Sequence, residues 1–293
     1  MNLISEIIIE QLPAILQRDV QLAIDSLLEA CNETQRADYV ALLSDPAFAA
    51  PLLKLFAGSQ FCAQICRRYP DWLLTLQRDG DLKRALADSE WRERLGAFIA
   101  RAQTADDLDR ALRQFRNREY LRILWRDFNR LCDMAATTAD ITRVAEVCIQ
   151  KALDFHYTAL AAEFGVPTSA DGSAQQLVVL GMGKLGAREL NLSSDIDLIF
   201  AYPASGHTVS EEKRDGPRSI HNQEFFSHLG KRLIQSLDRL TADGFVFRVD
   251  MRLRPYGESG ALVLNFDAME EYYQDQGRDW ERYAMIKARV VAG

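Results

Sequence analysis

The sequence predicts an α+β fold, in which an all-helical N-terminal region leads into a small domain of mixed strands and helices. The region up to residue 165 shows apolar side chains at helical spacing and almost no glycine. A loop-like run, Gly165-Val-Pro-Thr-Ser-Ala-Asp-Gly-Ser, then breaks the pattern. Beyond it, short apolar runs typical of strands appear. We therefore predict a helical region at residues 1–165, a linker at 166–176 and a second domain at 177–293.

One helix of the N-terminal region is clearly marked, because Thr104 can cap it and its pattern continues to about Leu131. Acidic residues occupy its first turn, where the helix dipole favours them, and apolar residues follow at helical spacing. The helix is also dense in arginine, at Arg113, Arg116, Arg118, Arg122, Arg126 and Arg130. These side chains form either a solvated face paired with acids on the same helix, or a contact surface for phosphate or an acidic partner.

The second domain is predicted to contain strands and a helix. The strands lie at residues 177–180, 196–201, 245–253 and 261–264, and the helix runs from about Asn222 to Thr241. The helix has a stripe of apolar residues, and Gly244 follows shortly after its end. Strands mixed with helices over about 115 residues indicate an α+β domain.

Composition limits the classes of function. Hydrophobic residues make up 48% and charged residues 26%, which is typical of a soluble globular protein. The net charge of -7 disfavours a nucleic-acid partner, because nucleic-acid binders normally have a basic surface. The N-terminus lacks the features of a secretory signal, and no apolar stretch approaches the roughly 20 residues of a membrane helix. We therefore expect a cytoplasmic protein, and the odd number of cysteines, 5, argues against a disulfide framework.

Two acidic residues, Asp195 and Asp197, lie at the start of a predicted strand. Because strand side chains alternate between faces, both carboxylates point one way while Ile196 points into the core. Carboxylates held so close repel each other unless a positive charge lies between them. Mg²⁺ is the natural cation, because it prefers oxygen ligands and is often shared with substrate phosphates. The pair therefore predicts a metal site.

A glycine-rich turn precedes this strand and contains Gly181, Gly183 and Gly186. Glycines let the backbone approach a phosphate closely, so that amide groups point at it. The spacing formally fits the dinucleotide-binding fingerprint, but no long helix follows and the paired acids come too soon. The Walker pattern also fails, because Lys184 lacks the required glycine spacing and a following Ser or Thr. We therefore predict that the turn binds phosphate near the acids.

A third acid, Asp250, lies in the predicted strand at 245–253. Alternation places it on one face together with Arg248, Arg252 and Arg254. Asp250 would supply the remaining carboxylate of a two-metal site. The arginines would hold phosphate oxygens or stabilise the charge that develops as a bond breaks.

Four stretches of the sequence show a family resemblance. They are LRQFRNREYLRILWRDF in the helical region, then GMGKLGARELNLSSDIDLIF, FRVDMRLRPYGESG and WERYAMIKARVVAG. Together they resemble the glutamine synthetase adenylyltransferase and deadenylylase family, which belongs to the DNA polymerase β-like nucleotidyltransferases. The resemblance implies a polymerase β-like nucleotidyltransferase domain with a small mixed sheet, truncated on its C-terminal side. The family enzyme has two such units, and this chain resembles the N-terminal one, as a fragment of a longer protein or a truncated gene product.

The resemblance implies Mg²⁺-dependent adenylyl transfer, in which Asp195, Asp197 and Asp250 hold the metal, expected as two ions. The N-terminal unit of the family removes AMP from a tyrosine of glutamine synthetase by phosphorolysis and releases ADP, and the C-terminal unit adds AMP from ATP. The residues implied to bind nucleotide or phosphate are Gly181, Gly183, Lys184, Gly186, Ser194, Arg252 and Arg254. The turn and the acids would be oriented by Glu189, Asn191 and Arg248.

Several alternatives stay open on the sequence alone. The direction of catalysis is undetermined, because both units of the family share the signature. The chain could instead be another protein nucleotidyltransferase, such as the uridylyltransferase that modifies the PII nitrogen-signalling protein, or a non-catalytic module that binds a nucleotide or a partner. Glutamine synthetase is the expected protein partner and PII a candidate second one, whereas neither nucleic acid nor membrane is expected.

Overall fold

The computed structural model describes residues 9–210 and 219–293 of the chain. Backbone contacts divide the chain into two compact units. The first comprises residues 1–90 and 115–140, and the second comprises residues 91–114 and 141–293. The second unit therefore includes two helical stretches, within residues 91–114 and 141–165, that were predicted to belong to the N-terminal region.

The described part of the N-terminal region is mainly helical, as predicted. Its helices are α1 (Ala14–Ala30), α2 (Glu33–Leu43), α3 (Pro46–Gly58), α4 (Gln60–Arg68), α5 (Pro70–Arg78), α6 (Asp88–Ile99), α7 (Ala105–Phe128) and α8 (Met134–Phe164). Local signals set their ends: Asn32 and Gln35 form a capping box at the start of α2, with bonds of 2.9 and 3.1 Å. No single described helix is long and apolar enough to cross a membrane, although α2 and α3, bent by 103°, would pass that test as a pair.

Two arginines of α7 serve neither of the roles considered for that helix. Within the first unit, Arg122 is fully buried and donates to Glu119 at 2.7 Å and to Asp140 at 3.1 Å. Arg126 donates to the same Asp140 carboxylate at 2.9 Å. Buried charges need partners, because removing them from water alone is costly. These arginines therefore join helices inside the first unit, where they neither face solvent nor offer a contact surface.

A five-stranded mixed sheet forms the centre of the second unit, which confirms the predicted α+β class. The strands of the unit are β1 (Val166–Thr168), β2 (Val178–Gly181), β3 (Ile196–Tyr202), β4 (His207–Val209), β5 (Val249–Asp250), β6 (Val263–Asn265) and β7 (Arg289–Ala292). In the sheet, β2 pairs antiparallel with β3 and β7, whereas β5 and β6 run parallel to β3. Strands β1 and β4 form a separate antiparallel pair.

Some strand boundaries differ from the prediction. The predicted strand at 245–253 was wrong in length, because only Val249–Asp250 form a strand beside β3. The Asp250 side chain accepts the backbone N–H of Arg252 at 2.8 Å, and such a local turn competes with continued strand pairing. The predicted linker at 166–176 contains β1, whose central proline disfavours a strand prediction. Strand β7 was not predicted either.

Helix α10 (Asn222–Asp238) packs against the sheet and confirms the helix predicted there, although it ends a few residues before Thr241. The approach is close, since a Cβ added at Gly230 would lie 2.9 Å from the Phe200 ring. A single helical turn, α9 (Gly183–Gly186), follows β2. Two short helices, α11 (Phe266–Glu271) and α12 (Asp279–Ala284), lie between β6 and β7 in the chain.

Arg113 explains why residues 91–114 belong to the second unit. Its side chain is fully buried and donates to backbone carbonyls at the end of α10 and in the loop beyond it. The distances are 3.0 Å to Ser236 and 2.9 Å to Gly244, and a further bond reaches the carbonyl of Arg239. Carbonyls at a helix C-terminus lack partners within the helix, so one guanidinium satisfies several at once. Arg113 thereby anchors the loop that leads into β5.

A buried histidine predicts a pH dependence of stability for the second unit. Nε2 of His156 lies 2.8 Å from the Ser236 hydroxyl, and burial lowers the pKa of His156 from 6.5 to about 4. Between these values the unfolded chain binds a proton that the folded chain does not, so stability decreases as the pH falls. We expect His156 to lower the free energy of unfolding by up to about 3 kcal/mol across this window. Urea unfolding at several pH values measures this slope, which should be smaller in His156→Gln by the contribution of the histidine; equal slopes in both proteins would contradict the prediction.

Candidate active site

The three predicted acids meet where two parallel strands lie side by side. Asp197 on β3 is the register partner of Asp250 on β5, and Ile196 is the partner of Val249. Neighbouring strands are about 4.8 Å apart, so side chains of such a pair share one site. Ile196 is fully buried, whereas Asp195 is exposed and Asp197 is half-buried, as strand alternation predicts. The backbone thus brings the acids of two strands together.

The negative charge at Asp197 is only partly offset. Burial raises the pKa of Asp197, and the carboxylates of Asp250 and Asp195 raise it further. Arg252 and Lys184 act in the opposite direction without cancelling the effect. The ionised form of Asp197 is therefore held at a cost in free energy, which a bound cation would relieve.

Each of the other two carboxylates is paired with an arginine. Arg248 forms an ion pair with Asp195 and also donates to the Ser193 carbonyl at 2.7 Å. Arg252 binds Asp250 through two nitrogens, with distances of 2.5 and 3.0 Å to the carboxylate oxygens. This bidentate bond lowers the pKa of Asp250. The arginines predicted from the sequence are therefore within reach of the acids, as counter-charges.

The acids fit a divalent cation in their chemistry but not in the present arrangement of their side chains. Carboxylate oxygens are the ligands that Mg²⁺ prefers, and Asp197 has negative charge that its surroundings leave unbalanced. Within residues 9–210 and 219–293, however, no three His, Cys, Asp or Glu side chains are grouped so as to hold a metal ion. The ion pairs at Asp195 and Asp250 account for this, because each carboxylate is engaged by its own arginine.

The glycine-rich turn contacts the acids through Gly183. This residue has a φ of 51°, and a Cβ added to it would lie 2.9 Å from Oδ2 of Asp197. Gly186 differs from the expectation, because its N–H donates to the Met182 carbonyl at 3.0 Å and so does not point at a phosphate. Its missing side chain serves close packing instead, since a Cβ there would lie 1.8 Å from the carbonyl oxygen of Lys287.

The predicted residues just before β3 form a local turn. The Ser194 hydroxyl donates to the side-chain oxygen of Asn191 at 2.9 Å and accepts the Asn191 N–H at 3.2 Å. Glu189 pairs with Lys287 at 3.2 Å on the surface. Lys184 is exposed beside the turn. Asn191 therefore orders the chain ahead of the acids, and the Ser194 hydroxyl is engaged within that turn.

Arg254 supports the loop that follows β5. It donates to the carbonyls of Met251 at 2.8 Å and Glu258 at 3.2 Å. Its Nε is buried and has no hydrogen-bond partner among the residues that the structure describes. Arg254 thus contacts backbone, whereas Arg248 and Arg252 contact the acids directly.

A cleft of about 430 Å³ adjoins the acids. Its lining consists of Asp195, Asp238, Arg248, Val249, Asp250, Met251, Arg252, Arg254 and Glu258. Asp238, the last residue of α10, was not predicted as a site residue; its carboxylate accepts the Val249 N–H at 3.2 Å. An acid at a helix C-terminus is unfavourable because it opposes the helix dipole. This position is the feature of the sequence that could have identified Asp238 as a site residue. Arginines interleaved with carboxylates suit a ligand that brings both phosphate and a cation.

Comparison with known proteins finds close relatives of this chain. Residues 49–293 match the family described as glutamate-ammonia ligase adenylyltransferase. A Pseudomonas putida protein named bifunctional glutamine synthetase adenylyltransferase/adenylyl-removing enzyme is 53% identical over 238 residues, which cover 81% of this chain and 24% of that protein. Proteins of the same name from Hahella chejuensis and Nitrosococcus oceani are 48% and 47% identical, cover 96% and 97% of this chain, and are themselves covered to 28% and 29%. The chain therefore spans about a quarter of the length of these curated relatives.

Proposed function

The chain belongs to the glutamate-ammonia ligase adenylyltransferase family, and from that membership we propose that Asp195, Asp197 and Asp250 form a Mg²⁺-dependent nucleotidyltransferase site. The proposed reaction is phosphorolytic removal of AMP from an adenylylated tyrosine of glutamine synthetase, with ADP as product. The proposal rests above all on the strand register that sets Asp197 opposite Asp250. The name of the relatives, which includes adenylyl removal, supports it.

The carboxylates of Asp195, Asp197 and Asp250 are the groups that would hold Mg²⁺. Bound there, as one or two ions, Mg²⁺ would stabilise negative charge on the attacking and leaving oxygens. Arg252 favours the ionised form of Asp250, which is the form that binds a metal ion, because it lowers the pKa of this carboxyl. The unbalanced charge at Asp197 supports a cation at the same place.

In the proposed reaction, an oxygen of inorganic phosphate bonds to the α-phosphorus of the adenylyl group while the bond from that phosphorus to the tyrosine oxygen breaks. Phosphate is already ionised at neutral pH, so its attack needs no strong general base, and the departing tyrosine oxygen takes a proton from solvent. Arg248, Arg252 and Arg254 would hold phosphate oxygens in the cleft and offset their charge. Gly183 and Lys184 would hold the nucleotide phosphate from the turn beside the acids.

Addition of AMP from ATP makes a different demand on the site. The attacking tyrosine hydroxyl has a pKa near 10 and must lose its proton. Asp250 is the candidate base for that step. The removal direction is the simpler proposal for this site, because it needs anion-binding arginines, which line the cleft, and no base.

An ADP-release assay tests the proposed function. The purified chain with Mg²⁺, phosphate and adenylylated glutamine synthetase should release ADP, and Asp195→Asn should lose most of this activity while remaining folded. Labelled ATP and UTP, each offered with unmodified glutamine synthetase and with PII, distinguish an adenylyltransferase from a uridylyltransferase. If the folded chain releases no ADP, the enzymatic proposal fails and the non-catalytic binding module is favoured.

A further inference from the structure

The last strand of the sheet provides an arginine that binds the glycine-rich turn. Arg289, the first residue of β7, donates to the carbonyls of Gly186 and Leu185, each at 3.0 Å. These carbonyls lie at the end of the single turn α9, where a cationic donor is favourable. Arg289 thus attaches the end of the turn to β7.

A buried acid orients this arginine from the side of α8. Glu146 is only 8% exposed, and its carboxylate lies 2.5 Å from Nη2 of Arg289. The second carboxylate oxygen of Glu146 pairs with Arg143 at 2.8 Å. A buried carboxylate needs cationic partners of this kind, and the guanidinium is in turn held in place by the carboxylate. Glu146 and Arg289 therefore form one unit that reaches from α8 to the turn.

The segment around Arg289 holds the turn at both ends. Arg289 is the register partner of Gly181, at the end of β2 where the turn begins. At the other end of the turn, Gly186 is in close contact with the backbone of Lys287. Gly183 lies between these two points, against the Asp197 carboxylate. The position of the turn relative to the acids is therefore set from β7.

We infer that Arg289, oriented by Glu146, is a positioning residue for the adenylyl transfer proposed above. It holds the turn so that Gly183 and Lys184 present their backbone N–H groups to the nucleotide phosphate. The catalytic consequence of this inference rests on the proposed function, whereas the contacts of Arg289 with the turn do not depend on it. Lysine cannot take over this role, because an ammonium is a point charge, whereas a planar guanidinium reaches two carbonyls and a carboxylate in fixed geometry.

The test compares Arg289→Lys with wild type in the ADP-release assay. We expect kcat to fall about 10- to 100-fold, because a displaced phosphate-binding group misaligns the reacting atoms. KM for adenylylated glutamine synthetase should stay within about twofold, because the lost contacts lie inside the chain and position a group that acts in the transition state. Glu146→Gln should show a smaller fall in kcat, and the double variant should be no worse than Arg289→Lys, because the two residues act together. Equal kcat in Arg289→Lys and wild type would overturn the inference.

The chain offers a matched control. Arg282 also donates to two backbone carbonyls, those of Tyr273 at 3.0 Å and Gln274 at 3.2 Å, but it does not touch the turn. Arg282→Lys removes the same kind of contact and should leave kcat unchanged. If both variants lose activity equally, Arg289 has only a general structural role.

A measurement without turnover separates this inference from the proposed function. Amide hydrogen exchange over residues 181–187 should become faster in Arg289→Lys and stay at the wild-type rate in Arg282→Lys. If the wild-type chain releases no ADP, the proposed function fails, and exchange alone decides whether Arg289 holds the turn. Unchanged exchange in Arg289→Lys would refute the positioning role whatever the activity.

Discussion

Asp197→Asn is expected to slow ADP release about 1000-fold and, at the same time, to make the metal-free protein more resistant to heat. The loss of rate corresponds to about 4 kcal/mol of transition-state stabilisation, at about 1.4 kcal/mol for each tenfold change. The gain in stability follows from the raised pKa of Asp197, because burial and the nearby carboxylates make its ionised form unfavourable in the folded state. Asparagine has almost the same shape without the charge, so it removes the metal ligand and the repulsion together.

Thermal unfolding in EDTA and in excess Mg²⁺ separates this explanation from a general loss of structure. Wild type should be stabilised by Mg²⁺, because a ligand that binds only the folded state raises its stability, whereas Asp197→Asn should not respond. Asp267→Asn is the control: this acid is exposed in the first turn of α11, so its variant should keep full activity and lose slightly in stability. An Asp197→Asn protein that retains a tenth of the activity, or is less stable than wild type in EDTA, would contradict the assigned role.

The orientation of Asp195 and Asp197 at the start of β3 was predictable, because strand periodicity alone decides which way their side chains point. Ile196 is fully buried between Asp195 and Asp197, as the alternation of a strand requires. Asp250 lies beside them as predicted, but the prediction assumed a regular strand at residues 245–253. The regular strand expected around it is only Val249–Asp250, and it is the pairing with β3, which no local pattern encodes, that brings the acids together.

Charge patterns were the least informative part of the sequence. Arg113 and Arg122 repeat along α7 just as surface arginines would, yet both are fully buried, one against backbone carbonyls and the other against acids. A charged side chain tolerates burial when its partners come from distant parts of the chain, and those partners are not visible in a local window. The same holds for Arg289 and Glu146, which meet only after the chain has folded.

Gly186→Ala is the second change for which we expect a large effect, this time on folding. A Cβ at this position would lie 1.8 Å from the Lys287 carbonyl oxygen and 2.5 Å from the Gly181 carbonyl oxygen. Both obstacles are backbone atoms at or beside paired strands, so neither can move without disturbing the pairing of β2 and β7. We expect the variant to lose at least about 3 kcal/mol of unfolding free energy, or not to fold. Urea unfolding of the purified variant measures the loss.

Two other glycines show whether close packing is the cause. Gly96 lies in α6 with no atom within 4 Å of its added Cβ, so Gly96→Ala should stabilise the protein by up to about 1 kcal/mol through helix propensity. Gly183→Ala should still fold, because its Cβ would meet only the end of the Asp197 side chain, although its positive φ adds some strain. It should lose activity, because the same contact displaces the Asp197 carboxylate. In order of decreasing stability, the variants should therefore rank Gly96→Ala, Gly183→Ala, Gly186→Ala. A Gly186→Ala protein as stable as Gly96→Ala would show that β7 does not approach the turn as closely as its proposed positioning role requires.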